Sequence, residues 1–155
     1  MSNDKLHIKQ SVLKAAIDKQ SELIENFSKR LKDMRGGEKF INETQFDAQQ
    51  ASFNNELNEQ MEGIAGQMSF AEDEMSILKH LENSLKLQDE VRVGSVVITD
   101  KMNFFVAVSS EDIEAHGKPY FGISTKAPIF SAMAGKKTGD TFKMNEMSYQ
   151  IKDVF

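Results

Sequence analysis

Apolar residues recur at alternating steps of four and three from the start of the chain: Leu6, Gln10, Leu13, Ile17, Gln20, Ile24, Phe27, Leu31 and Met34. Such steps keep successive side chains on one narrow helical face, the spacing of a coiled-coil seam. Neither Pro nor Gly interrupts Lys5 to Arg35, and Gly36-Gly37 follows. Glycine commonly ends a helix because it accepts the left-handed backbone of a C-cap. The pattern predicts a first helix about 45 Å long at ~1.5 Å rise per residue.

A second seam runs through Phe46, Gln50, Phe53, Leu57, Gln60, Ile64, Gln67, Ala71, Glu74, Leu78, Leu81 and Leu85. It is weaker, with polar residues at several seam positions. Met61, Met68 and Met75 sit one place further on and widen the stripe. Gly63 and Gly66 each cost about 1 kcal/mol against Ala in a helix. Ser69 with Glu72 fits a capping box, so this helix is expected to break or restart near 66–70. Two seams joined by a Gly-rich turn predict an antiparallel hairpin over residues 1–88, its tip near 36–43. With an apex near residue 40, facing positions sum to about 80 in a simple antiparallel register. Met34 then meets Phe46, Phe27 meets Phe53, and Gln20 meets Gln60.

From residue 89 the pattern changes. Val91 to Thr99 is rich in β-branched residues, Asp100-Lys101 marks a turn, and Phe104–Val108 reads as a second strand. Ser109–Lys118 is polar and loop-like, and Tyr120–Ser124 reads as a third strand. Pro128 suits the first turn of a short helix closed by Gly135. Gly139-Asp140 is a turn before a final hairpin, Thr141–Met144 with Ser148–Val154. The fold class is α+β: an N-terminal antiparallel helical coiled-coil hairpin, then a small β-rich domain over 89–155 with an antiparallel sheet.

Composition narrows the chemistry. The chain has 155 residues and no Cys, which removes disulfides, thiolate metal sites and Cys nucleophiles. The three His, at positions 7, 80 and 116, stand far apart in sequence, which disfavours a His-rich metal site. His116 reads as a solvated loop residue. No apolar run reaches the roughly 18 residues that span a bilayer. The first residues lack the apolar stretch of a signal peptide, so a soluble, cytoplasmic protein without membrane contact is expected. Residues 1–90 carry 11 Lys/Arg and 17 Asp/Glu, whereas residues 91–155 carry 8 and 7. Residues 5–35 hold 8 basic and 4 acidic side chains, while 40–78 hold 8 acidic and none basic. A basic helix beside an acidic one favours pairing within one chain, so a monomer is expected. The acidic balance disfavours direct grip on a phosphate backbone. No Gly-rich phosphate loop, GxSxG, HExxH or Asp-rich calcium loop is present. Nothing marks an enzyme with catalytic residues or a cofactor of its own.

The stretch Ile123-Ser124-Thr125-Lys126-Ala127-Pro128-Ile129-Phe130 to Gly135-Lys136-Lys137-Thr138-Gly139-Asp140 resembles the C-terminal signature of the bacterial GreA/GreB transcript cleavage factors. That family shows I-S-x-x-S-P, a small helix, then G-K-x-x-G-D and a closing strand. Ala127 replaces the usual Ser before Pro. Val93-Gly94-Ser95-Val96-Val97 resembles the family's opening strand, and the likeness covers roughly 91–155.

The resemblance implies an FKBP-like C-terminal domain that docks on RNA polymerase through the region of Ser124, Pro128, Gly135, Lys136, Gly139 and Asp140. Of these, the glycines, Pro128 and Asp140 are expected to serve the fold more than the contact. It implies a hairpin entering the polymerase secondary channel, in indirect contact with nascent RNA. In the family, tip acids help hold a second Mg²⁺ within the polymerase active site, and the polymerase itself cuts backtracked RNA. The family's tip is approximately G-D-L-K-E-N-A-E-Y. Here Gly37-Glu38-Lys39-Phe40-Ile41-Asn42-Glu43 stands in its place, so Glu38 replaces the Asp and Ile41 replaces the first Glu. Glu38 and Glu43 are the candidate acidic, Mg²⁺-facing residues, with Asp47 a helical turn further on. Phe40 and Ile41 are candidate tip contacts. The expected function is a Gre-like elongation factor that modulates elongation and at most stimulates the polymerase's intrinsic RNA cleavage. The alternatives are a non-cleaving polymerase regulator and a general coiled-coil scaffold. A prolyl isomerase, which the fold class could host, finds no Trp and few aromatics for a proline pocket.

Overall fold

A computed structural model describes residues 2–42 and 48–155, with side chains from 3 to 36 and from 52 onward. Helix α1 spans Ser2–Asn42 and helix α2 spans Ala48–Asn83. Six strands follow: β1 Val96–Thr99, β2 Asn103–Ala107, β3 Ser110–Ala115, β4 Lys118–Ser124, β5 Thr141–Met144 and β6 Met147–Val154, with helix α3, Pro128–Met133, before β5. The α+β class, with long helices ahead of a β-sheet domain, is as the sequence predicts. The chain divides into two compact units, residues 1–19 with 76–155 and residues 20–75.

In the unit of residues 20–75, both helices outrun their expected signals. Gly36-Gly37 does not end α1, which continues to Asn42, and α2 passes Gly63, Gly66 and Ser69 unbroken. Glycine is a poor helix former rather than a forbidden one, and the seam packing outweighs its cost. The longer α1 moves the register. Buried Gln20 donates from Nε2 to the Ala71 carbonyl at 2.9 Å and to Glu74 Oε1 at 3.4 Å. Met34 lines one groove with Leu57. Facing positions thus sum to about 91 rather than 80, and Gln20 does not meet Gln60. The α2 seam shifts with it. Leu57, Met61, Ile64, Met68, Ala71, Met75 and Leu78 are buried or half-buried, while Gln60, Gln67 and Phe53 are exposed. The methionines are therefore seam residues, and their flexible thioethers fill the irregular gaps between two helices.

In the other unit, one six-stranded sheet has the order β3-β4-β2-β1-β6-β5. β2 and β4 pair in parallel, Phe104 opposite Phe121 through Ala107 opposite Ser124, and every other pair is antiparallel. The expected all-antiparallel sheet is thereby corrected. The segment expected to be a polar loop supplies β3, an edge strand that pairs outside β4 and leaves β4 beside β2. Only Ile113 and Ala115 of β3 are buried, which is why its pattern reads as loop. Two tight turns, His116-Gly117 and Asn145-Glu146, have positive φ at both residues, the backbone that matches strand twist in two-residue hairpins.

The core on one sheet face gathers Val97, Phe104, Val106, Ile123, Phe142, Tyr149 and Ile151 around Met133 of α3. Phe142 and Tyr149, directly opposite across β5 and β6, stack with centroids 4.9 Å apart. Phe105, Tyr120 and Ile113 are also buried, so β2 is covered on both faces. Gly122 of β4 is required: a Cβ there would lie 2.5 Å from the Val108 carbonyl oxygen. Gly66 has nothing within 4 Å of an added Cβ. Gly122→Ala is expected to lose about 1–3 kcal/mol by overpacking against backbone. Gly66→Ala is expected to gain up to about 1 kcal/mol from helix propensity. Urea denaturation of both variants beside the parent chain reads the opposite signs.

Candidate functional site

The candidate residues fall in two groups, the signature segment around α3 and the acidic residues Glu38, Glu43 and Asp47. In the signature segment, Ser124 ends β4; its carbonyl accepts from the Ala127 N–H at 3.1 Å and its hydroxyl oxygen from the Lys126 N–H at 3.2 Å. Pro128 opens α3 with its ring preset for a first helical turn. Ala127 stands at the N-cap with extended backbone and no side-chain cap. Serine there would offer a hydroxyl to the Ile129 N–H; Pro128 has no N–H, and that of Phe130 already donates to the Ala127 carbonyl at 3.0 Å. Ala134 then donates to the Phe130 carbonyl at 2.8 Å, and Gly135 takes φ +75°.

Gly135 and Lys136 clasp the chain arriving from α2. The Gly135 N–H donates to the Val91 carbonyl at 2.8 Å, and the Val91 N–H donates to the Lys136 carbonyl at 2.9 Å. Glu90 and Lys137 continue this ladder as an isolated antiparallel bridge. Asp140 closes the next turn: its Oδ2 accepts from the Lys137 N–H at 2.8 Å, and its own N–H donates to the Lys137 carbonyl at 3.0 Å. Gly139, at φ +95°, donates to the Ile151 carbonyl at 2.9 Å. The backbone of the signature is thus consumed in holding β6, α3 and the chain at Val91. The Lys136 side chain is half-buried, and Lys126 and Lys137 are exposed.

Glu38, Phe40 and Ile41 fall in the last turns of α1. Glu43 and Asp47 lie outside the described residues. Among the described residues no group of three or more His, Asp or Glu side chains could hold a metal ion. Residues 20–75 carry five basic and twelve acidic side chains, a net of −7. A groove of about 520 Å³ between the helices is lined by Arg30, Met34, Leu57, Gly63 and Ile64 among others. Phe53 and Phe70 are 51% and 60% exposed.

Sequence reasoning missed the face by which α1 meets the sheet domain. Lys5, Lys9, Val12, Ala16 and Lys19 recur at steps of four and three, a second stripe beside the seam. Val12 and Ala16 are buried. Lys5 Nζ pairs with Asp153 Oδ2 at 2.8 Å. Lys19 Nζ donates to the Glu111 carbonyl and, at 3.0 Å, to the Asp112 carbonyl. These carbonyls belong to an irregular stretch of β3 where Asp112 has φ +52° and the register shifts. The signal was present as spacing, but the lysines concealed it.

Lys9 is the centre of this face and is 1% exposed. Its Nζ donates to the Lys86 carbonyl at 2.7 Å and to Gln88 Oε1 at 3.1 Å. Gln88 Oε1 also accepts from Ser95 Oγ at 2.7 Å, and the Arg92 N–H donates to that same hydroxyl oxygen at 3.0 Å. Only neutral oxygens face the ammonium, so burial, reinforced by the Lys86 charge, lowers the Lys9 pKa to about 8.

The chain is similar to the transcription elongation factor GreA of Streptococcus agalactiae. It is 27% identical to the proteins of the serotype Ia, V and III strains over 95 residues. The match spans 59% of this chain and 59% of each relative. No family model matches the chain. No helix of the described residues is long and apolar enough to cross a membrane.

The lowered Lys9 pKa predicts a pH dependence. The folded state releases this proton near pH 8, while the unfolded chain holds it to about 10.5. The unfolded state therefore binds more protons between these values, and stability rises with pH across that window. Relative to Lys9→Met, the parent chain is expected to gain up to about 3 kcal/mol from pH 7.5 to 10.5. Chemical denaturation of both proteins at the two pH values measures it.

Proposed function

We propose that this chain is a Gre-like transcription elongation factor that binds RNA polymerase and modulates elongation. The likeness to GreA over 95 residues carries the reading. The order of the fold supports it, long helices first and a small sheet domain after. In this reading the helical hairpin enters the polymerase secondary channel, and the sheet domain, FKBP-like in kind, docks at its rim. Lys126, Lys136 and Lys137 are the side chains of the signature segment available to an acidic partner surface. The chain has no chemistry of its own in this role. It acts on the polymerase's intrinsic RNA cleavage and touches nascent RNA only within that complex. Its partner is RNA polymerase, and it works as a cytoplasmic monomer.

Mg²⁺ enters only as an ion of the polymerase active site, where Glu38 and Glu43 are the candidate carboxylates and Asp47 a third. Carboxylate oxygen is the natural ligand for this hard cation, and two metal ions can stabilise both attacking and leaving oxygens. A second reading, a regulator that binds without promoting cleavage, rests on Ile41, which stands where the family has an acid. Phe40 and Ile41 then become contacts rather than bystanders.

A stalled, backtracked elongation complex from the source organism tests both, with binding measured in parallel. The expected result is binding, with any stimulated cleavage lost in the Glu38→Ala/Glu43→Ala double variant while binding persists. Binding without cleavage selects the non-cleaving regulator. Absence of binding overturns the transcription reading and leaves a coiled-coil scaffold.

A further inference from the structure

The groove of about 520 Å³ along the contact of the two long helices is lined wholly by the unit of residues 20–75. Its inner surface is apolar: Ile64 is buried, and Met34 and Leu57 are half-buried. Its rim is polar and exposed, with Arg30 and Asp33 on α1 and Gln60 and Gln67 on α2. From Leu57 to Gln67 the groove runs about 15 Å, close to three helical turns.

Two exposed apolar residues prolong this lining. Gln60, Gly63, Gln67 and Phe70 recur at steps of three and four, so they share one face of α2. Phe70 is 60% exposed. On α1, Leu23 stands two turns before Arg30 on the same face and is 41% exposed. Gly63 opens the rim between Gln60 and Gln67. A Cβ added there would have nothing within 4 Å, so no packing inside the hairpin calls for glycine. The missing side chain leaves room for another backbone to approach the apolar floor.

Charge selects the occupant. Residues 40–78 hold 8 acidic side chains and no basic one. Glu56 and Glu59 each lie one turn before a rim residue, Gln60 and Gly63. Both are exposed, and among the described residues neither takes part in an ion pair. On the α1 rim, Arg30 and Asp33 offset one another in charge. The unmet charge beside the groove is therefore negative and lies along α2.

We propose that this groove is a docking site for a basic amphipathic helix of a partner protein. The apolar residues of that helix, spaced i, i+3, i+4 and i+7, rest on Met34, Leu57 and Ile64. Its Lys or Arg side chains face Glu56 and Glu59, and Gly63 admits its backbone. The inference stands apart from the transcription reading, because its test needs no polymerase.

The probe is a fluorescein-labelled three-heptad peptide with Leu along the seam and Lys on both flanks, titrated with the full chain and followed by anisotropy. A second peptide carries Glu in place of Lys. One Lys peptide is expected to bind per chain, roughly tenfold or more tighter than the Glu peptide, and to weaken as salt is raised. Gly63→Arg lays a long cationic side chain across the rim and is expected to weaken binding roughly tenfold. Ala65→Arg makes the same change of charge at an exposed position about 200° around the helix, and is expected to shift affinity less than about twofold. Circular dichroism confirms that both variants fold. Equal losses in the two Arg variants, equal affinity for the two peptides, no saturable binding, or a dimer of the chain that excludes the peptide overturns the site.

Discussion

The first helix has two jobs on two faces, and the packing of each unit depends on them. One face is a heptad seam against α2. On the other, the Lys5 and Lys19 ammonium groups bond the sheet domain and Lys9 the chain at Lys86 and Gln88, with Val12 and Ala16 buried between them. Lys9 is the costliest of these. A buried ammonium among neutral oxygens is stabilised by hydrogen bonds but suffers desolvation that no carboxylate offsets. What it gains is geometry. Through Lys86 and Gln88 it ties the end of the helical region to α1, and through Ser95 that tie reaches the turn before β1. Replacing it by an apolar residue would leave the Lys86 carbonyl and Gln88 Oε1 without this donor, so the group is hard to replace.

Helix class and the existence of most strands were legible because they rest on period alone. Seven-residue spacing survives any error in where a helix ends. Register was not legible, because it depends on that end. Gly36-Gly37 resembles a stop, yet α1 continues to Asn42, since glycine is a poor helix former and not a forbidden one. Shifting the partner positions then moved Met61, Met68 and Met75 from the margin of the stripe into the seam itself. β3 escaped for the opposite reason. An edge strand buries one face only, and Ile113 and Ala115 are too few to outweigh Ser110, Glu111, Asp112 and Glu114.

The candidate site divides along the same line. The glycines, Pro128 and Asp140 were readable as a motif, and each has a defined backbone role in the fold. Gly135 and Gly139 take positive φ, Pro128 starts a helix, and Asp140 closes a turn. Such roles leave a strong trace in sequence because few residue types fill them. Long-range side-chain pairings leave none. Nothing in the neighbourhood of Lys5 announces Asp153, and nothing near Lys19 announces the carbonyls of Glu111 and Asp112. They are consequences of where α1 is fastened.

This division bears on how the chain would meet a partner. Because the signature is spent on internal backbone contacts, it speaks first for a fold and only then for a partner. Contact must be made by what the fold leaves exposed. On the sheet domain that includes Lys126 and Lys137 flanking α3. On the helical unit it includes Phe53 and Phe70 amid a surplus of acid. Unlike charges in two parts of one chain would orient it on a partner before any apolar contact forms, since electrostatic attraction acts over longer range than packing. The acidic surplus of residues 20–75 and the lysines flanking α3 are surface features of different units of the chain.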